Sequence, residues 1–258
     1  MNDEPRKISE AELCHERLGE QFESALSDYD TVRRREVLID DFLDELIFAD
    51  TVAIDVGCGL GFFSEALHQR GANVLACDLG EGLVERTRAR VGCRAQQADA
   101  LRLSQQFGEN QFDLVVSSEC IEHTPDPRRA IQEMARILKP GGYLSLSTPN
   151  LVWQPVVRIA TRLGIRPFNG NENFTSWSSM RRTLDGCEID VVREFGLHAF
   201  PFQLGLNQLS RRMDKHMQWM RSAMINICIL GRKRYAIGRD MGMSSQPTTI
   251  RNSSRRVA

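Results

Sequence analysis

A chain of 258 residues, 41% apolar and 26% charged, can bury one sizeable core but has little room for two full domains. Its 33 basic and 34 acidic side chains leave a formal net charge of −1, which gives no global attraction to nucleic acid. The seven cysteines, Cys14, Cys58, Cys77, Cys93, Cys120, Cys187 and Cys228, are scattered, odd in number and without a C-x-x-C pair, so a closed disulfide framework is disfavoured and a reducing compartment expected.

In chain order, residues 1–20 are highly charged, and Met1-Asn2-Asp3-Glu4-Pro5 carries no signal-peptide pattern. Val32, Leu38, Ile39, Phe42, Leu43, Leu46 and Ile47 recur at helical spacing and predict a helix over about 31–47. Residues 1–48 thus read as an N-terminal helical cap on a domain over 49–235. Short apolar runs then alternate with helical patterns: strand 51–56, helix 61–70, strand 73–77, helix 81–91, strands 93–98 and 112–118, helix 126–138, strand 142–148. That alternation predicts an α/β fold, a doubly wound parallel sheet with helices on both faces.

Pro149 and the turn Asn169-Gly170-Asn171 bracket an insertion of about 150–175, expected to lie over the active site. A helix near 176–185 follows, then strands near 187–195 and 223–230 separated by a helical stretch over 207–221. Residues 236–258, rich in Ser, Thr, Asn and Arg, read as a disordered tail. No apolar run is long enough to span a bilayer, and the protein is expected in the cytoplasm.

The strand at 51–56 ends in Asp55-Val56-Gly57-Cys58-Gly59-Leu60-Gly61. Glycine in such a loop permits positive φ and lets a ligand approach the backbone with no Cβ in the way. A dinucleotide fingerprint would place its third glycine at position 62, where Phe62 stands, so plain NAD binding is disfavoured. Asp78 lies 21 residues after Gly57 and directly after Asn73-Val74-Leu75-Ala76-Cys77. It sets a carboxylate at the tip of the second strand, where ribose hydroxyls of an adenosine ligand would lie.

With Ala98-Asp99-Ala100, Phe112-Asp113-Leu114-Val115-Val116-Ser117 and Leu138-Lys139-Pro140-Gly141-Gly142 added, residues 25–232 resemble the class I S-adenosylmethionine-dependent methyltransferases. The resemblance implies a Rossmann-like seven-stranded sheet with an antiparallel last strand, a helical N-terminal cap and an insertion after strand five. It also implies that Gly57, Gly59 and Gly61 cradle the methionine portion of S-adenosylmethionine and that Asp55 supports the loop. By the same resemblance Asp78 and Leu79 lie at the ribose, Asp99 and Ala100 beside the adenine, and Glu119 at the cofactor's edge.

Polar residues directly after strand four stand where ligands of open α/β sheets bind. Here they are Glu119-Cys120-Ile121-Glu122-His123. Glu119 and Glu122, three apart, share a face, with His123 beside them, and carboxylate and imidazole ligands suit a divalent metal. The E-x-x-E-H pattern and Ser147-Thr148-Pro149-Asn150 resemble two branches: the O-methyltransferases of ubiquinone biosynthesis and the small-RNA 3′-terminal 2′-O-methyltransferases. In both, a divalent cation near the methyl donor is implied, Mg²⁺ or Mn²⁺ by ligand chemistry. A histidine after strand five completes that set in those branches. This chain has none between His123 and His198, and Glu172 is the candidate in its place.

A hydroxyl with a phenol-like pKa of about 10 must be activated before it attacks a sulfonium methyl. Either a cation stabilises the oxyanion or His123, with Glu122 beside it, takes the proton. A third reading has Glu119 and His123 only hydrogen-bonding the cofactor's edge and the following helix start.

Three surface features complete the reading. The stretch 151–166 is apolar with Arg158, Arg162 and Arg166 in one stripe, and reads either as a lid over the substrate cavity or as a peripheral membrane contact. The stretch around Met213, Met217 and Met220 reads as core or as lining for a bulky apolar ligand. Arg33-Arg34-Arg35 reads as a run of which at least two are solvated, although the resemblance allows one to meet the donor's carboxylate.

The sequence therefore points to a methyltransferase that O-methylates a small apolar or quinol-like molecule. Rivals are a small-RNA ribose methyltransferase, N- or C-methylation of another metabolite, a non-catalytic cofactor-binding scaffold and a nicotinamide oxidoreductase. The sequence leaves the oligomeric state open.

Overall fold

The computed structural model describes residues 28–163, 172–201 and 206–235. The expected tail, Arg166, the turn at 169–171, Cys14 and most of the N-terminal cap lie outside the described residues. Seven strands form one sheet: β1 (Val52–Val56), β2 (Asn73–Asp78), β3 (Arg94–Gln97), β4 (Phe112–Ser118), β5 (Leu138–Pro149), β6 (Ile189–Leu197) and β7 (Asn226–Lys233). Their order is β3-β2-β1-β4-β5-β7-β6. The first five strands pair parallel, and β7 runs antiparallel between β5 and β6, as the sequence led us to expect.

Both faces of the sheet are covered, so its strands are apolar on both sides. Ile54, Val56, Leu75 and Val115 pack with Ile131 and Met134 of α5 (Pro127–Ile137) and with Met180 and Leu184 of α7 (Trp177–Gly186). Ala53, Val74, Ala76, Leu114 and Val116 point the other way, into a second cluster with Leu38, Ile39, Leu43 and Leu67. That cluster joins α1 (Asp28–Arg35) and its continuation to α2 (Phe62–Gln69) and α3 (Glu81–Val91).

Local chemistry sets the helix ends. Pro127 opens α5 without forfeiting a needed donor, and the Asp126 carboxylate caps it by accepting from the Arg129 amide at 3.0 Å. Ser176 caps α7 in the same way through the Ser179 amide.

Four expectations need correction. The helix expected at 31–47 is α for Asp28–Arg35, widens to a π-turn over Glu36–Asp41 and ends as a short 3₁₀ turn, Asp44–Leu46. The wide turn buries three consecutive residues, Val37, Leu38 and Ile39, while Val32 stays exposed. Strand β5 begins four residues early, because Leu138 already pairs with Phe112 and a register shift absorbs Lys139–Gly142. A short helix, α4 (Leu103–Phe107), buries only Leu103 and so left no periodicity to read. Finally, Arg33 and Arg34 are buried, so the arginine run is no solvated patch.

The insertion after β5 starts with a 3₁₀ turn, Leu151–Trp153, and continues as α6 (Gln154–Arg162). Asn150 ties it to the sheet. Its amide donates to the Ile225 carbonyl at 2.7 Å, and its side-chain nitrogen donates to the carbonyls of Ser222 and Met224 at 2.8 and 2.9 Å. Asn150 is 1% exposed, so its loss leaves carbonyls unpaired away from water. Asn150→Ala is expected to lower stability by about 2–4 kcal/mol in urea unfolding; an unchanged midpoint would contradict the tie.

Candidate active site

The C-terminal ends of β1, β2 and β4 meet at one edge of the sheet. β1 and β4 are in register from Ala53 opposite Leu114 to Asp55 opposite Val116, so the glycine turn and the Glu119–His123 segment leave the sheet side by side. Ser117 pins them by donating from Oγ to the Val56 carbonyl at 2.9 Å. Gly57 adopts φ +76°, and a Cβ there would lie 2.5 Å from Cys120 Sγ. Only glycine fits, because the conformation is left-handed and the space is already taken.

The turn is braced at several points. The amides of Gly57 and Cys58 donate to the Cys77 carbonyl, and Thr87 Oγ1 donates to the Gly59 carbonyl at 2.9 Å. Asp78 is buried, and its two carboxylate oxygens accept from the amides of Gly80 and Gly59, both at 3.0 Å. A carboxylate has about four acceptor positions, so Asp78 keeps capacity for ligand hydroxyls.

Asp55, at the end of β1, accepts from Ser64 Oγ at 2.6 Å, which fixes the start of α2. Burial pushes its carboxyl up to about 7, against the pull of the Ser64 hydrogen bonds. Gln97 of β3 donates to the Leu79 carbonyl at 2.7 Å. Asp99 and Ala100 follow β3 and remain partly exposed, with Asp99 turned onto the Leu101 amide at 2.8 Å.

Beyond β4, Glu119 sits at φ +51°, unusual for a side chain with a Cβ. A directed chain of hydrogen bonds ends on it. Buried Arg34 donates to Ser118 Oγ at 2.8 Å, Ser118 meets Ser147 Oγ at 3.0 Å, and Ser147 donates to Glu119 Oε1 at 2.9 Å. Asn226 of β7 donates to Glu119 Oε2 at 3.0 Å. Arg34 is held from behind by Asp30 at 2.8 Å, and Asp30 also meets His198 Nε2 at 2.8 Å. Burial alone would raise the Asp30 carboxyl, but Arg34 and His198 outweigh it and hold it at about 2.

Glu122 is fully buried and accepts from Thr148 Oγ1 at 3.1 Å. Half-buried His123 stands beside it, its Nε2 3.9 Å from Glu122 Oε1. Burial is the main force on both glutamates. It pushes Glu119 up to about 8, with Glu122 adding and Arg34 opposing, and Glu122 up to about 7.

The residues expected to hold a metal are thus near one another but do not form a ligand set. Glu119 faces Ser147 and Asn226 with its two oxygens, and Glu122 is turned onto Thr148. Glu172 neighbours the segment, since the Asn173 amide donates to the Glu122 carbonyl at 2.8 Å. Among the described residues no group of three or more His, Cys, Asp or Glu side chains is placed to hold a metal ion.

Sequence reasoning missed Asp30, Ser118, Asn226 and His198. The i, i+4 spacing of Asp30 and Arg34 was a readable signal; the others meet only through the fold. The described cysteines are all free thiols.

Comparison with known proteins agrees with this architecture. Residues 54–146 match the methyltransferase domain family. A ubiquinone biosynthesis O-methyltransferase of Pseudomonas fluorescens (strain SBW25) is 38% identical over 115 residues, 42% of this chain and 49% of that protein. One from Leptothrix cholodnii is 41% identical over 105 residues, 38% of this chain and 43% of that protein. The chain spans about half the length of the curated relatives it matches. Among solved structures, an S-adenosylmethionine-dependent methyltransferase from Mesorhizobium loti superposes with TM-score 0.61 at 19% identity, covering 78% of this chain and 98% of that one. Residues 54–146 therefore carry the methyltransferase domain pattern, and the chain is similar over the matched region to the ubiquinone biosynthesis O-methyltransferases.

The raised carboxyls give a pH prediction. An acid whose folded value lies above its unfolded one favours folding when protonated, so that stability falls as pH rises from the unfolded value through the folded one. For Asp55 the window runs from 3.8 to about 7, and for Glu119 and Glu122 from 4.5 to about 8 and about 7. The thermal midpoint is expected to decline between about pH 5 and pH 8, and less steeply in Asp55→Asn. Parallel profiles for the two proteins would contradict the assignment to Asp55.

Proposed function

We propose that this protein transfers the methyl group of S-adenosylmethionine to a hydroxyl oxygen of a small, apolar, quinol-like acceptor. The observation that carries the reading is the packing of Cys120 against the Gly57 turn. It sets the acidic and imidazole side chains of 119–123 against the loop where the donor would lie.

The residues present fit the donor. The glycine turn offers backbone with no Cβ in the way, Asp78 has acceptor capacity toward a ribose, and Asp99 with Ala100 line the next strand end. Bound there, S-adenosylmethionine supplies an electrophilic methyl on a sulfonium. The chain's part is to exclude water, orient the acceptor and remove its proton.

His123 is the candidate for the proton: it is half-buried, with its Nε2 3.9 Å from Glu122 Oε1. Glu122 acts on the acceptor only through His123. As arranged, Glu119, Glu122, His123 and Glu172 do not fit a divalent cation such as Mg²⁺ or Mn²⁺. The insertion carrying α6 would govern entry of an apolar acceptor, as a lid or by touching lipid. The relatives' names support a quinol-like acceptor by similarity alone.

Asp78→Ala is expected to weaken donor binding by about 2 kcal/mol or more in calorimetry. Equal affinity in the two proteins would contradict the ribose role.

With an alkyl-substituted catechol as acceptor, His123→Gln is expected to lower kcat by about 10²–10⁴-fold with donor affinity unchanged. Wild-type turnover should survive EDTA. Loss of turnover in EDTA, restored by Mg²⁺, would show that the carboxylates rearrange around a cation.

A further inference from the structure

We infer that His198 and Asp30 are positioning residues for the methyl donor: with Arg34 they close a ring of hydrogen bonds that holds the Glu119 carboxylate where it accepts from the donor's α-ammonium. The role rests on S-adenosylmethionine binding as proposed above. Both oxygens of Glu119 are gripped by the same ring. From Oε1 the ring runs back through Ser147 and Ser118 to Arg34, whose other terminal nitrogen donates to Asp30 at 2.8 Å. His198 Nε2 meets the second Asp30 oxygen at 2.8 Å. Backbone closes the circuit: the His198 carbonyl accepts from the Ile225 amide at 3.1 Å, and the next residue, Asn226, donates to Glu119 Oε2 at 3.0 Å.

Direction is built into the ring. A guanidinium only donates, so Ser118 accepts from Arg34 and passes its own proton to Ser147, which donates to Glu119. Of the four described non-glycine residues with left-handed φ, two belong to the ring, Glu119 at +51° and His198 at +61°. Such backbone persists only where its surroundings hold it, and it gathers at functional sites. His198 is 0% exposed, and α8 (Asn207–His216) fixes its neighbour, because buried Asp214 accepts from the Ala199 amide at 2.8 Å. A buried ion pair adds little to stability over apolar residues of similar volume, so the scaffold alone does not require Arg34 and Asp30 here.

Strand order says which part of the donor Glu119 meets. Along β3-β2-β1-β4 the strand ends carry, in turn, Asp99 with Ala100, Asp78, the glycine turn and Glu119. A donor with its adenine at β3 and its ribose at β2 brings its amino-acid end over β1 to β4. A carboxylate has about four acceptor positions, and Ser147 and Asn226 occupy one on each Glu119 oxygen. Of the donor's groups at that end, the α-ammonium is the one from which a carboxylate accepts. Burial disfavours the ionised form of Glu119, and a cation seated beside it restores that form.

The test is calorimetry on the full chain with S-adenosylhomocysteine, which carries the α-ammonium, and with 5′-methylthioadenosine, which lacks both the amino and the carboxyl group. Glu119→Gln is expected to bind S-adenosylhomocysteine about 10-fold more weakly or worse, and 5′-methylthioadenosine as the wild type does. His198→Asn tolerates the left-handed backbone but is too short to reach Asp30, and Ser147→Ala opens the ring on its other side. Both should show the same selective loss. His198→Gln, whose longer side-chain amide still donates to Asp30, should restore most of the affinity. Equal loss of both ligands in these variants, or wild-type affinity for S-adenosylhomocysteine in Glu119→Gln or His198→Asn, overturns the inference and leaves donor binding standing. Wild-type protein that binds neither ligand overturns the donor reading and the inference with it.

Discussion

Gly57 and Cys120 pack so closely that a single added carbon on the first would meet the sulfur of the second at 2.5 Å. That contact exists because β1 and β4 are neighbours in register and the hydroxyl of Ser117 holds the end of one to the end of the other. It fixes the turn that follows β1 against the segment that follows β4. Glu119 then has to leave the strand in a left-handed conformation, which aims its carboxylate at Ser147 and Asn226. Strain of this kind persists only where surroundings over-determine it. Here two donors from two different strands do so.

Behind this edge lies the buried Arg34 guanidinium with acidic side chains around it. Arg34 meets Asp30 directly and Glu119 through the two serines, while His198, just past the end of β6, shares Asp30. Burying charge is costly unless every member is paired, and removal of one partner then costs more than the pair contributes. The site and the N-terminal helix are therefore coupled: α1 packs on the sheet through Leu38 and its neighbours, and the same segment delivers Arg34 to the acidic wall. Unequal pairing separates the acids. Asp30, paired with Arg34 and His198, is held low, whereas Glu119 and Glu122, served mostly by hydroxyl and amide donors, are pushed up by burial.

Much of this was legible before any coordinates. The alternation of apolar runs from 51 to 148 gave the parallel sheet, because each run is buried on both faces and bounded by turn residues. The glycine spacing and Asp78 were legible because backbone geometry demands those residue types at a strand end. What escaped were features settled by tertiary contact. Arg34 looked like part of a solvated run until Asp30 and Ser118 met it, and a π-turn at 36–41 has no periodicity of its own. The glutamates were read as a metal set from their spacing, their ligand chemistry and the resemblance of the E-x-x-E-H pattern. The direction of each carboxylate depends on Thr148, Ser147 and Asn226, which local spacing does not register.

The central claim is that the turn after β1 holds the methyl donor against the polar segment after β4, and that its shape depends on the absence of a side chain at position 57. Affinity for S-adenosylhomocysteine in Gly57→Ala, measured by calorimetry on protein whose circular dichroism matches the wild type, tests this most directly. The account predicts a loss of roughly tenfold or more, from strain at positive φ together with displacement of Cys120. Wild-type affinity in the folded variant would contradict it.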